Sequence, residues 1–346
     1  MSQKRMSLAL LLAVSFCSLA VSERVVLAEG HHDDHCRGHR FGQFSNWSEP
    51  VNLGPVVNSE FNDQHPAISP DRLSLYISSN RPGGFGDFDI YVSHRDSVDD
   101  DWAPPVNLGP NINTEFNDSV PNISADGHRM YICTSRPGGF GQDDIWVSFR
   151  EDTTDDFGWQ PPVNLGSGVN TAQAECGATI FEDRAEGVTT LYFTRCSSPR
   201  CGFGDPDERW DIYASTLEEN GTFGLAVPVP ELNSGHRDTR TAIRNDGLEF
   251  FLTSSRPGGM GALDLWDSTR ASTVAPWSTP VNLGLSVNTQ FNEGAPALSC
   301  DATELYFYSN RPGGFGMNDL YVTHRHRLHH HDHGGHDDND DRFVDL

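Results

Sequence analysis

The chain has 346 residues, with 49 Asp and Glu against 24 Lys and Arg, and a formal net charge of −25. Such an acidic surface excludes nucleic acid as the main partner, since phosphates need basic side chains. It leaves cations, basic partners and neutral glycans. Hydrophobic residues make up 36%, and 33 Gly with 21 Pro favour strands and turns over helices.

The N-terminus reads as an address. Lys4 and Arg5 precede an apolar run from Leu8 to Ala20, then small residues with cleavage sites after Ser22 or Ala28. That run is too short to span a bilayer, so residues 1–28 are expected to be a secretory signal peptide. The mature chain is then secreted or periplasmic and carries no transmembrane segment. Cys17 follows Phe16 rather than a small residue, which argues against a lipoprotein anchor. Six cysteines remain after cleavage: Cys36, Cys133, Cys176, Cys196, Cys201 and Cys300. An even number in an oxidising compartment predicts disulfides, and no pair of CxxC motifs offers a zinc site instead.

After a His/Asp-rich segment at 29–43, the chain repeats with a period of roughly 55 residues, a length that signals a propeller or solenoid. One copy reads "FNDSVPNISADGHRMYICTSRPGGFGQDDIWVSFR", followed by "WQPPVNLG". Its "PNIS", "MYICTS", "DIWVSF" and "PPVNLG" are four short strands, and Gly, Pro, Asn and Asp mark every junction. Four antiparallel strands per repeat make one blade of a β-propeller. Arg81, Arg136, Arg195, Arg256 and Arg311 count five copies, in step with Asp89, Asp144, Asp211, Asp264 and Asp319. The last copy ends after its third strand, and "WSEPVNLG" at 47–54 is a fourth strand with no blade before it. Joining the two closes the ring and removes an exposed sheet edge. The prediction is an all-β, five-bladed propeller over 44–325, closed by the N-terminal strand.

The stretch "SPDRLSLYISSNRPGGFGDFDIYVSHR" at 69–95 and its repeats resemble the WD-like propeller repeat of TolB-type proteins. The resemblance spans about 44–325. TolB-like propellers are usually counted as six-bladed, so five blades depart from that pattern, and no fused peptidoglycan-binding or peptidase domain accompanies the repeats. The resemblance implies a non-enzymatic binding module whose partner is an envelope or extracellular protein, or a glycan. A monomer is expected.

The recurring "RPGG" invites comparison with a phosphate loop, which needs a helix after it. A strand follows each copy here. Proline fixes φ and glycine accepts φ > 0, as a type II turn requires; the turn is therefore architecture, with its Arg and Asp columns pairing with each other or with loop backbone. A second column places one acid before each innermost strand: Asp63, Asp118, Glu175, Asp238 and Glu293. These acids either cap turns or pair with a neighbouring blade's arginine, or they form a ring at the channel mouth. Such a ring could hold a cation or hydrolyse a glycan, which needs two suitably spaced carboxyl groups. Five-bladed glycosidases place acids on innermost strands, and by that analogy Asp63, Asp118 and Glu175 are the catalytic candidates of a glycoside hydrolase, the leading alternative to a binding module.

Departures from the repeat point to a ligand face. Two positions after the acid stand His65, Val120, Gly177, Arg240 and Ala295. His65 and Arg240 break a small or apolar column, and with Glu175, Asp238 and Glu293 they are the candidate ligand-binding residues. Blade three is longer than its counterparts by eight residues between Arg195 and Asp211, with Cys196 and Cys201 spaced to clamp the insertion. Such insertions tend to fall on binding loops. Cys36 and Cys300 are expected to meet at the closing blade; Cys133 and Cys176 sit in adjacent blades with no strong case for bridging.

Eleven of the 15 histidines lie in "HHDDHCRGHR" (31–40) and "HRHRLHHHDHGGHDDND" (324–340). His31, His32, His35, His329, His330, His331 and His333 are candidate ligands for a divalent metal (Zn, Ni, Cu or Ca), in a protein that requires no cofactor. Ring closure sends both tails from one face of one blade. The competing reading of 29–43 and 326–346 is a pair of disordered, solubilising tails. Deleting 326–346 should abolish stoichiometric metal uptake, measured by calorimetry, if the tails form the site; unchanged uptake refutes it.

Overall fold

The computed structural model describes residues 42–198, 201 and 209–328. Their strands form five separate four-stranded antiparallel sheets. Blade 1 comprises Asp63–Ile68, Ser74–Ser79, Asp89–His94 and Val106–Asn107. Blade 2 follows with Asp118–Ile123, Arg129–Thr134, Asp144–Phe149 and Val163–Asn164. Blade 3 has Glu175–Asp183, Val188–Cys196, Trp210–Thr216 and Val227–Pro228. Blade 4 has Asp238–Ile243, Glu249–Ser254, Asp264–Thr269 and Val281–Asn282. Blade 5 takes Glu293–Leu298, Glu304–Ser309 and Asp319–His324, and its outer strand is Val51–Asn52 from the other end of the chain. Each first strand packs beside the first strand of the next blade, and the last returns to the first. The ring is closed as the sequence predicts.

The second strand of each blade is held between two neighbouring sheets, and it reads accordingly. "SLYISS" at 74–79 is buried at every position, because packing on both faces suppresses the polar alternation of a half-exposed strand. Apolar clusters fill the gaps between blades: Leu75 and Ile77 of blade 1 meet Tyr306 and Leu320 of blade 5, and Tyr192 and Ile212 of blade 3 meet Phe250 and Leu252 of blade 4. The outer strands are shorter than the sequence suggests, two residues each. In four blades proline before the strand and glycine after it withhold the donors and torsions that a longer strand needs, and in blade 3 Pro228 and Pro230 do so from within and just beyond it.

A second repeated device sits at the far end of the blades. Arg95, Arg150 and Arg270 follow the third strands and stack on Trp102, Trp159 and Trp277 at 4.3, 4.4 and 4.1 Å from the ring centroids. In each case the tryptophan comes later in the same loop. Blade 5 cannot supply its own, and Trp47 takes the position, 4.3 Å beneath Arg325. Arg325 also donates to both carboxylate oxygens of Glu249 in blade 4 at 2.7 Å. A cation–π stack and a bidentate ion pair, both largely out of water, therefore fasten the N-terminal segment where the circle meets.

Disulfides join Cys196 to Cys201, as expected, and Cys133 to Cys176, with Cα–Cα distances of 6.0 and 5.1 Å. The second was not legible from spacing, because it links the second strand of blade 2 to the first strand of blade 3. Cys300 is also disulfide-bonded; its expected partner Cys36 lies outside the described residues, as do 199–200 and 202–208 of the blade-three insertion. Among the described residues, no helix is long and apolar enough to cross a membrane.

Asp267, half-buried near Glu249 and Arg325, has its carboxyl pushed up to about 6, first by burial and then by the Glu249 charge. A carboxyl whose pKa rises on folding stabilises the fold below its ordinary value and loses that contribution as pH climbs through the folded value. Asp267→Asn should therefore raise Tm at pH 8 by a few degrees, a gain of about 3 kcal/mol at most. The gain should fade towards pH 4 in melting curves taken across the range.

Candidate functional site at the channel mouth

The five acids of the predicted ring are fully buried, and each is held by an arginine of its own blade. Arg81 Nη2 donates to Asp63 Oδ1 at 2.6 Å and to the Val57 carbonyl at 2.8 Å. Asp63 Oδ2 accepts from the Ser59 amide and hydroxyl at 2.5 and 2.7 Å. The same arrangement pairs Arg136 with Asp118, Arg256 with Asp238 and Arg311 with Glu293, at 2.6, 2.6 and 3.1 Å. Glu175 meets Arg195 at 2.7 Å. The expectation that the acids line an open mouth, or pair with a neighbouring blade, is thus corrected. Both carboxylate oxygens are occupied within the blade, and no solvent reaches Asp63, Asp118, Glu175, Asp238 or Glu293.

Blade 3 builds this pair differently. Arg195 stands opposite Glu175 inside the strand, whereas Arg81 and its equivalents project from the turn two residues beyond the strand. The insertion at 197–209 replaces the "RPGG" turn, and the strand supplies the guanidinium instead. Arg195 Nη2 still reaches the Val169 carbonyl at 2.8 Å, matching the Arg81 contact with Val57.

The third-strand aspartates do not bind these arginines. Asp89 accepts from the amides of Phe85 and Gly86 at 2.6 and 3.1 Å, and Asp144, Asp264 and Asp319 repeat the contact. They cap the turn. Its first glycine has φ of 97° at Gly83, Gly138 and Gly258 and 94° at Gly313, the torsion predicted for a type II turn. The last glycine of each turn lies against the segment that enters the next innermost strand. A Cβ on Gly86 would sit 2.0 Å from the Phe116 carbonyl, and one on Gly316 would sit 2.1 Å from that of Phe61.

That contact brings an unforeseen feature to the mouth. Phe85, Phe140 and Phe315 at the turn tips are 50%, 52% and 47% exposed, so three aromatic rings stand in water around one face. On the adjoining entry segments, Glu60 and Glu115 are exposed carboxylates. The signal in the sequence was the repeated phenylalanine of "GGFG", an apolar residue where a polar turn residue would serve.

Inside the channel every innermost strand carries a bulge. The pairing register shifts just after the acid in all five blades, and the bulged residues are His65, Val120, Gly177, Arg240 and Ala295, with φ between 49° and 64°. Left-handed torsions are costly for side chains other than glycine, and they turn these residues towards the axis. His65 and Arg240, which come from blades 1 and 4, line one cavity of about 20 Å³ together with Asn122, Thr241 and Pro296. Burial, then the charges of Arg240 and Arg237, hold the His65 pKa well below its ordinary value. At the other end the channel opens on a cavity of about 70 Å³ lined by Ile68, Ile123, Ile180, Ile243 and Leu298. Cys133, Cys176 and Asp143 also lie close together, but the two sulfurs are bonded to each other and offer no thiolate to a metal. The candidate metal ligands His31, His32, His35, His329, His330, His331 and His333 lie outside the described residues.

No family model and no curated protein matches the sequence. Solved structures do match the fold. An α-L-arabinofuranosidase from Lactobacillus brevis has a TM-score of 0.53 at 14% identity, over 79% of this chain and 92% of that one. A thermostable family-43 glycoside hydrolase has 0.52 at 12%, over 82% and 94%. An endo-arabinase from Bacteroides thetaiotaomicron has 0.50 at 16%, over 82% and 97%. At such identities the likeness is one of fold. The matched proteins are named as glycan-cleaving enzymes, which speaks against the expected non-enzymatic, protein-binding module.

Removing one partner of a buried ion pair leaves the other charge uncompensated, at a cost of about 3–5 kcal/mol. Arg81→Ala should therefore lower Tm by on the order of 10 °C, while leaving any activity of the folded fraction intact. Unchanged melting with lost activity would show that the repeated turn acts in chemistry instead.

Proposed function

We propose that this protein is an extracytoplasmic carbohydrate-active propeller that hydrolyses a neutral glycan lying across the aromatic face. The observation that carries the reading is the set of exposed phenylalanines, Phe85, Phe140 and Phe315, beside the exposed carboxylates Glu60 and Glu115. Aromatic rings pack on the apolar faces of sugars, and a net charge of −25 repels polyanions. Hydrolysis needs one carboxylic acid to protonate the leaving oxygen and a second carboxylate to activate water or attack carbon. Glu60 and Glu115, on adjoining blades, take those roles, because Asp63, Asp118 and Glu175 are buried in their ion pairs. The disulfides fit an oxidising compartment, whether periplasm or exterior.

The test is reducing-sugar release from a polysaccharide panel that includes arabinan and arabinofuranosyl substrates, following the names of the structural neighbours. Glu60→Gln or Glu115→Gln should lower kcat by roughly 10²–10⁴-fold. Phe85→Ala and Phe315→Ala should raise KM by roughly fivefold each. No release by the folded wild-type protein across the panel overturns the reading.

A further inference from the structure

The far end of the channel, opposite the turn face, ends in an opening to which all five blades contribute. Ile68, Ile123, Ile180, Ile243 and Leu298 close the innermost strands there and border a cavity of about 70 Å³. All but Ile68 remain partly exposed. Asn122, Ser124 and Asn245 stand among them and offer hydrogen bonds that an apolar patch alone would lack. That volume takes several water-sized groups, enough for a side chain but not for a folded element.

Cys300 borders the same cavity and is disulfide-bonded. The chain has seven cysteines, and the bridges Cys133–Cys176 and Cys196–Cys201 use four of the others. Cys17 and Cys36 are left to pair with Cys300, and Cys17 falls within the expected signal peptide. The described chain also begins beside this wall. Phe44 pairs with Arg327 in an antiparallel bridge, and the Leu328 amide donates to the Gln43 carbonyl at 2.7 Å. Arg327 Nη2 donates to the carbonyl of Asp301, next to Cys300, at 3.1 Å. The Arg244 guanidinium of blade 4 lies 5.9 Å from the Phe44 ring centroid, and its neighbour Asn245 donates to the Cys300 carbonyl at 3.1 Å. From Gly42 back to Cys36 the chain reaches about 20 Å at full extension, enough to lead it from this wall across the opening.

We propose that residues 29–41, which lie outside the described residues, are the occupant of this opening, with Cys36 bonded to Cys300 and its neighbours laid over the five-blade ring. Covering the ring takes apolar surface out of water. The bond ties the leading end of the chain to blade 5, beside the stack of Arg325 on Trp47 that fastens the same closure. The axis is then stopped at its far end, and the turn face stays open. This seat stands independently of the glycan reading.

A non-reducing peptide map of the mature protein should contain one linked pair of peptides carrying Cys36 and Cys300. Hydroxyl-radical footprinting then compares side-chain exposure in the mature protein and in a variant that lacks 29–41 and carries Cys300→Ser, which leaves no unpaired thiol. Oxidation of Ile123, Ile180, Ile243 and Leu298 should rise severalfold in the variant, while that of Phe85 and Phe140 on the turn face stays constant. A protease site placed between Phe41 and Gly42 lets the segment be removed from folded protein after mild reduction, so the comparison holds even where the variant fails to fold. Cys300 linked to any other cysteine, or found as a thiol, overturns the proposal. Unchanged oxidation once 29–41 is gone overturns it too, as does a rise that follows loss of 329–346 instead, which makes the C-terminal tail the occupant.

Discussion

A fully buried carboxylate held by an arginine of its own blade is the contact on which this propeller depends. Each copy fixes three things at once. It anchors the start of the innermost strand, it ties that strand to the turn after the second strand, and it caps the carbonyl of the preceding connection, as Arg81 does for Val57. A charge pair taken out of water is weak evidence for net stability, but it penalises every arrangement that separates its members. In a repeat protein that penalty enforces register, because a blade that slips exposes one unpaired charge to a dry interior. The disposition of Arg195 in blade 3 makes the point: the turn is gone, the sequence position has moved, and the guanidinium still arrives at Glu175 and Val169.

Once the acids serve the scaffold, function has to be sought where the five blades differ or where they offer surface. The differences concentrate along the axis, at His65, Arg240, Gly294 and Tyr308. The surface lies at the turn tips, where phenylalanine recurs without a packing reason. These two places are chemically opposed. The axis is narrow and closely packed, whereas the turn face is open and aromatic with carboxylates beside the rings.

The blade count, the ring closure and the type II turn were legible because they are local and repeated. Proline and glycine at fixed offsets state their torsions, and a third strand without a fourth implies its missing partner. The partners of the Arg and Asp columns were not legible, since both lie at the same end of the blade and sequence order does not say which faces inward. The clamp of Cys196 on Cys201 followed from a spacing of five residues. The Cys133–Cys176 bridge did not, because only the packing of neighbouring blades brings those positions together. His65 and Arg240 could be singled out as exceptions in a column, but their meeting across the channel depends on bulges that the sequence hides behind ordinary residues such as Val120 and Ala295.

The dimensions of the channel decide where a polymer can sit. Cavities of about 20 and 70 Å³ fall well short of the roughly 300 Å³ at which pockets begin to enclose a small organic ligand. The bulges that turn His65 and Arg240 inward narrow the axis, and its far end is lined by Ile68, Ile123, Ile180, Ile243 and Leu298 together with Ser69, Asn122, Ser124, Thr179 and Asn245. Neither cavity admits a sugar chain, which on the proposed reading lies across a face. Of the two faces, the one carrying the turns presents aromatic rings at intervals set by the blades, with Glu60 and Glu115 on the segments between them. The repeat that builds the scaffold thus also spaces the contacts, and a linear ligand would meet them one blade at a time.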